Sequence, residues 1–155
     1  MSTSGLESIG RTVQLTYIWI DDLDVRLGWR NKQRSYRLLR VVLQTLRDWL
    51  PINEAAHLGA QLPELLRGAY YEHWRPATTP AKPRHRADFV AHIDRAFQAD
   101  PLQFTADEIT TVLGLLSEKL EAGEIRKAQH VLPADVRALW PAPPQAAWSA
   151  LEEGL

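Results

Sequence analysis

Seven cations crowd one stretch of the chain: Arg26, Arg30, Lys32, Arg34, Arg37, Arg40 and Arg47, with no acidic residue between 26 and 47. Such a run can grip phosphates or meet an acidic protein surface. It can equally solvate one helix face, with Arg40 and Arg47 paired to acids elsewhere in the chain. No helix-turn-helix signature or base-stacking motif accompanies it. Nucleic-acid binding through it is therefore expected to be weak and steeply salt-dependent. Arg30, Lys32, Arg34, Arg37 and Arg40 are the first candidates for partner contact. Arg67 and Tyr71 are the next. They belong to a cluster with Tyr70, His73 and Trp74, rich in the residue types that dominate binding hot spots. Tyr70 and Trp74 stand four apart on the helical face of Leu66, which reads as core. Tyr71 lies off that face and is the better surface candidate.

Other chemistries are thinly represented. His85, Asp88 and His92 fall at i, i+3 and i+7, wider than the i, i+4 spacing that chelates a metal well. The simpler reading is a helix N-terminus with Asp88 favoured by the helix dipole. Asp21, Asp22 and Asp24 have no Gly-rich turn beside them and read as a solvated helix start, with Asp24 belonging to an internal repeat. Zero cysteines exclude thiolate metal sites, disulfides and a cysteine nucleophile. Nucleophile elbows, phosphate loops and dinucleotide fingerprints are absent from the sequence. No catalytic residue, cofactor or metal is expected, and the chain reads as non-enzymatic.

The elements that hold these residues are helical. At 155 residues, 45% hydrophobic and 24% charged, the chain has the size and composition of one soluble domain. Tyr36, Leu39, Leu43, Leu46 and Leu50 recur every three or four residues, as do Ile109, Leu113, Leu116 and Leu120. Ile20, Leu23 and Leu27 form a shorter stripe, and so do Val90, Ile93 and Phe97. No stretch alternates at strand period, so the fold class is all-α. Pro51 should stop the long helix, and Pro63 and Pro133 should open new ones. Gly28 and Gly123 are expected helix stops. The expected boundaries are a flexible N-terminus over 1–14, a helical domain over 15–140, a Pro-rich linker over 75–85, and a Pro-rich turn and short helix over 141–155. No apolar run is long enough to span a membrane, and the opening residues lack a secretory signal. A cytoplasmic location is expected.

A shift of 70 residues aligns the chain with itself. Val42, Leu43, Leu46, Leu50, Glu54, Leu62, Pro63 and Arg67 match Val112, Leu113, Leu116, Leu120, Glu124, Leu132, Pro133 and Arg137. The shift also places Asp24 on Asp94. The expectation is two tandem helical repeats, 15–74 and 86–140, closing one compact bundle about a pseudo-two-fold axis. A repeated arginine after a repeated Leu-Pro suggests a repeated structural task, such as holding Glu54 or Glu124 or a helix C-terminus. The halves differ in charge: residues 26–86 hold twelve basic and four acidic groups, residues 87–155 five and eleven. Complementary halves permit self-association.

The run Tyr36-Arg-Leu-Leu-Arg-Val-Val-Leu-Gln-Thr-Leu-Arg-Asp-Trp-Leu-Pro51, the stretch Glu54–Trp74 and the segment Val112–Trp140 resemble a bacterial family catalogued as domain of unknown function 2267. Gln61-Leu-Pro-Glu-Leu-Leu-Arg-Gly68 is the most specific piece. The resemblance implies a helical cytoplasmic bacterial protein and transfers no activity. Trp29 and Trp49 depart from the internal pattern, because Ala99 and Lys119 stand opposite them. The function expected from all this is a protein-interaction module that binds a protein partner or forms a homo-oligomer. The alternatives are polyanion binding through residues 26–47 and a small-molecule pocket between the repeats.

Overall fold

Leu38, Leu39, Val42, Leu43 and Leu46 are sealed from solvent on one long helix, and the other helices assemble around it. The computed structural model describes residues 3–82 and 84–142. Eight α-helices follow in order: α1 Thr3–Leu27, α2 Lys32–Trp49, α3 Ile52–Ala60, α4 Glu64–Tyr71, α5 Arg86–Ala96, α6 Thr105–Lys119, α7 Ala122–Val131 and α8 Ala134–Arg137. No strand occurs among the described residues. The core joins Leu23, Val42, Leu43, Leu66, Tyr70, Phe89, Ile93, Phe97, Ile109, Leu113 and Leu116 in one apolar cluster. Trp49, which has no aromatic counterpart 70 residues on, meets the Phe89 ring edge-on at 5.2 Å.

The packing crosses between the halves of the chain. α1 lies against α2 and α4 and also against α6, and α5 lies against α6 and α8 and also against α2. α2 faces α6, and α3 faces α7. Ion pairs tie the first crossing: Arg26 to Glu118, and Lys119 Nζ to Asp22 Oδ2 at 3.1 Å.

The helix breaks follow local chemistry. Leu50 leaves α2 in extended conformation, and Pro51 is the N-cap of α3. Pro63 and Pro133 are N-caps of α4 and α8 rather than first helical residues, with φ near −55° in both. Gly28, at φ 67°, terminates α1 in the left-handed region where glycine carries no Cβ penalty. Arg30 sits at φ 54° in the same turn. Asp24, buried, locks that turn: its Oδ1 accepts from Asn31 N at 3.0 Å and Ser35 Oγ at 2.7 Å. Seventy residues on, Asp94 accepts from Thr105 Oγ1.

Three expectations are corrected. Residues 3–14 are not a flexible tail but the first half of the 25-residue α1. Gly10 disfavours a helix there, yet Thr12 Oγ1 accepts from Leu65 N at 3.0 Å and docks this half on the start of α4. Gly123 lies inside α7 and stops nothing; Leu120 and Glu121 make the break before it. α4 ends at Tyr71, so Trp74 does not share a helical face with Tyr70. His73, at φ 63°, turns the chain, and the Trp74 ring folds onto Tyr71 at 5.3 Å. Between α4 and α5 the expected linker holds one short 3-10 turn, Pro76–Thr78. The short C-terminal helix expected near 145–151 lies outside the described residues.

Candidate functional site

The basic run is distributed over α1, the turn after it and α2, and most of it is engaged inside the molecule. Arg26 Nε pairs with Asp22 at 2.9 Å and its terminal nitrogen reaches Glu118. The hydrogen bond from Arg26 holds the Asp22 carboxyl below the usual carboxylate range, opposed by partial burial and reinforced by Lys119. Asp22 in turn raises Arg26. Arg34 pairs with Asp100 and donates to the carbonyls of Asp100 and Pro101 at 3.0 and 3.1 Å. Its guanidinium also lies 4.7 Å from the Trp29 ring centre. Arg37 donates to Ala96 O at the end of α5 and stacks over Phe97 at 4.6 Å. Arg37 thus satisfies a carbonyl that the end of α5 leaves without a helical partner, and Arg34 holds the loop between α5 and α6.

Arg47 is buried, pairs with Asp48 at 2.9 Å, and donates to Tyr70 O and Glu72 O at 2.8 and 2.7 Å. It therefore caps α4 in its own half and, among the described residues, pairs with no acid of the other. Arg40 lies over Tyr36 at 4.7 Å, with its Nε enclosed and unpartnered. Lys32 is exposed and bridges Asp21 at 2.9 Å, which raises its ammonium above its ordinary value. Arg30 is exposed at the left-handed turn.

Arg67 and Tyr71 are likewise turned inward. Arg67 Nε donates to Gly59 O at 2.9 Å, and its terminal nitrogen to Ala60 O and Leu62 O at 3.3 and 2.8 Å. It caps the end of α3 and does not reach Glu54. Arg137 makes the corresponding set with Gln129 O, His130 O and Leu132 O at 2.8, 3.4 and 3.2 Å. Tyr71 is half-buried over Gly59, where any added Cβ would collide with its hydroxyl. Tyr71 thus packs closely on Gly59 and remains partly exposed. His85 is the N-cap of α5, and its N–H donates to Asp88 Oδ2 at 3.2 Å. Among the described residues no acid–histidine cluster could hold a metal.

The structure brings a different group together. An open cleft of about 470 Å³ lies between the α1–α2 turn and the start of α6. Arg26, Trp29 and Arg34 line one side, and Asp100, Phe104, Asp107 and Glu108 the other. Phe104 is 66% exposed, whereas Glu108 is only 8% exposed. Glu108 Oε1 accepts from Phe104 N at 2.6 Å, while its Oε2 is enclosed without a partner. Sequence reasoning passed over Phe104 and Glu108. Acids are favoured in the first turn of helices generally, and nothing in the sequence separates a buried one from its solvated neighbours.

A second apolar feature is exposed. Leu6, Ile9 and Tyr17 are 68%, 60% and 62% exposed along α1, with half-buried Val13 between them. Among the described residues no helix is long and apolar enough to cross a membrane.

The architecture is thus an all-α bundle whose clustered cations are mostly engaged within the molecule, in ion pairs, ring contacts and helix caps. Residues 16–139 match the family described as an uncharacterized conserved protein, DUF2267, and the chain belongs to that family. None of the curated proteins compared with it matches.

Proposed function

We propose that the chain is a non-enzymatic, cytoplasmic bacterial module that works through protein contacts, and that the partner its surface fits is a second copy of itself. The apolar row on the first half of α1 carries this reading. Leu6, Ile9, Val13 and Tyr17 form a row along the first half of α1, beside the side that Thr16, Trp19 and Leu23 bury. Their intervals of three and four residues nearly superpose on themselves when reversed. An antiparallel copy about a two-fold axis therefore sets Leu6 against Tyr17 and Ile9 against Val13, a self-complementary contact. Glu7 and Arg11 project from the other side of the helix at 100° per residue, so no charge enters the seam. About three turns of helix offer less than the roughly 800 Å² per partner of a standard interface. Association is expected to be weak, with a dissociation constant on the order of 100 µM.

Charge-driven head-to-tail association loses support, because Arg26, Arg34 and Lys119 are paired within the chain. The same pairing weakens the polyanion reading and leaves Arg30 and Lys32 as its most exposed cations. Sedimentation across a concentration series tests the proposal. Mass should rise with concentration, and Ile9→Glu should hold the chain monomeric without lowering its melting temperature. A wild-type chain that stays monomeric at millimolar concentration overturns it.

We infer further that residues 15–74 and 86–140 are two copies of one unit about a pseudo-two-fold axis. In support, Arg67 and Arg137 cap with acceptors 70 residues apart, and the Asp24–Ser35 and Asp94–Thr105 bonds keep the same offset. An experimental structure whose halves superpose as whole units sharpens this reading; halves that match only helix by helix overturn it.

A further inference from the structure

We infer that the cleft at the start of α6 is the docking site of this chain's own residues 143–155, with the Trp148 indole packed against Phe104. This goes beyond the self-association reading and involves none of its residues.

Phe104 leaves an aromatic ring in water. It is 66% exposed at the edge of an open cleft whose apolar lining continues through Leu27, Trp29 and Pro101. Covering such a ring is favourable, and a second aromatic ring is the best cover.

The path of the chain supplies the occupant. Leu139 O accepts from Thr110 Oγ1 at 2.6 Å, and Pro141 packs over Gly114, where an added Cβ would come within 3.3 Å of its ring. The described chain therefore stops at Ala142 beside Gly114, one to two turns along α6 from Thr111 and Asp107 in the cleft wall. Thirteen residues follow, and Trp148 is the aromatic among them. From Gly114 back to Phe104 is ten residues of chain, about 15 Å at the rise of a helix. From Ala142 to Trp148 is six residues, which can span up to about 20 Å. The indole thus reaches the exposed ring.

Charge agrees with this course. Glu152 and Glu153 stand four and five residues beyond Trp148 and can cross to the α1–α2 turn. Arg30 is exposed there and makes no ion pair among the described residues. An indole also suits the walls, because its flat body stacks on a ring while its N–H can donate to an acid such as Asp107. The short link favours this segment over that of a second copy, since it holds the indole at an effective concentration on the order of millimolar.

NMR of the full chain, at a concentration too low for association, tests this. Cross-peaks are expected between the Phe104 ring and the Trp148 indole protons. The chain has no cysteine, so Ser149→Cys accepts a single spin label. The label should erase most of the amide signal at Trp29, Phe104 and Asp107 and leave Leu6 and Ile9 intact. Phe104→Ser and Trp148→Ala should each restore the erased signals. Unchanged helical content of both variants separates lost docking from lost fold. Should the label itself displace the segment, the cross-peaks of the unmodified chain still decide. In a mixture of spin-labelled chains and isotope-labelled chains without the spin label, the signals should stay. Their loss in that mixture assigns the cleft to a second copy, and loss at Leu6 and Ile9 instead places the segment on α1. Either result, no site-specific loss with no cross-peaks, or signals indifferent to both substitutions overturns the inference.

Discussion

At the α3–α4 corner Arg67 donates to the carbonyls of Gly59, Ala60 and Leu62, and at the α7–α8 corner Arg137 donates to those of Gln129, His130 and Leu132. The proline before each arginine has nearly the same backbone angles. What surrounds the two caps differs. α4 runs eight residues and brings in Tyr70, whose hydroxyl donates to Ala55 O at 2.7 Å, and Tyr71 above it. Burial pushes the Tyr70 phenol well above its ordinary value, so it stays a neutral donor. α8 runs only four residues, and Arg137 is exposed where Arg67 is half-buried. The cap fixes the turn, whereas burial around it sets how much stability depends on it.

That contrast can be broken most forcefully from inside. Leu66 and Val136 occupy matching positions and are both sealed from solvent. Leu66→Ala should cost about 3 kcal/mol, and Val136→Ala about 2 kcal/mol, reflecting fewer methylenes removed. Denaturant midpoints check both, and a costlier Val136→Ala would reverse the ranking of the corners. Arg67→Met should cost about 2 kcal/mol, since two partly buried carbonyls and one exposed one lose a charged donor. Arg137→Met, with its acceptors closer to water, should cost about 1 kcal/mol. Equal losses would show that burial does not weight the cap.

Gly59→Ala sharpens the contrast further, because position 129 of the other corner already carries a side chain, Gln129. It should cost about 1–2 kcal/mol by displacing the Tyr71 ring, and much less in a Tyr71→Ala background, a coupling that a double-mutant cycle reads directly. The smallest effect belongs to the tie between the halves. Asp22→Asn removes pairs with Arg26 and Lys119 and should cost about 1 kcal/mol or less. Because folding lowers the Asp22 pKa, its contribution is present above about pH 4 and is lost as pH falls through the folded value. Wild type and variant should therefore converge in stability below that pH. A gap that persists at pH 2 would assign the effect to something other than the carboxylate.

Much of the fold was legible because a helix writes its buried face at a fixed period. The stripes of α2 and α6 and the Leu-Pro breaks all sit where the residues placed them. Periodicity does not report where a helix begins when its first half is held by a contact distant in sequence, as Thr12 is by Leu65. Nor does it report where one ends when a residue such as His73 turns out of helical space. The functional candidates were less legible still. Arg34, Arg37, Arg47 and Arg67 look like a surface because arginine usually is one. In this chain the heads of Arg67, Arg47 and Arg37 cap the ends of α3, α4 and α5, Arg34 holds the loop before α6, and the distance in sequence between donor and carbonyl hides that. Glu108 went unnoticed for the opposite reason: its residue type and position are ordinary, and only the enclosing walls make it unusual.

The crossing of α1 onto α6 has a consequence for how the chain is made. Trp19, Ile20 and Leu23 are buried in the finished protein, and α1 rests partly on a helix that begins at Thr105. A ribosome adding about 5–20 residues per second needs on the order of 5–20 s to produce that partner after α1 has emerged. During that interval α1 is a nascent amphipathic helix with its sticky side only partly sheltered, and the synthesis rate competes with chaperone capture and misassembly for it.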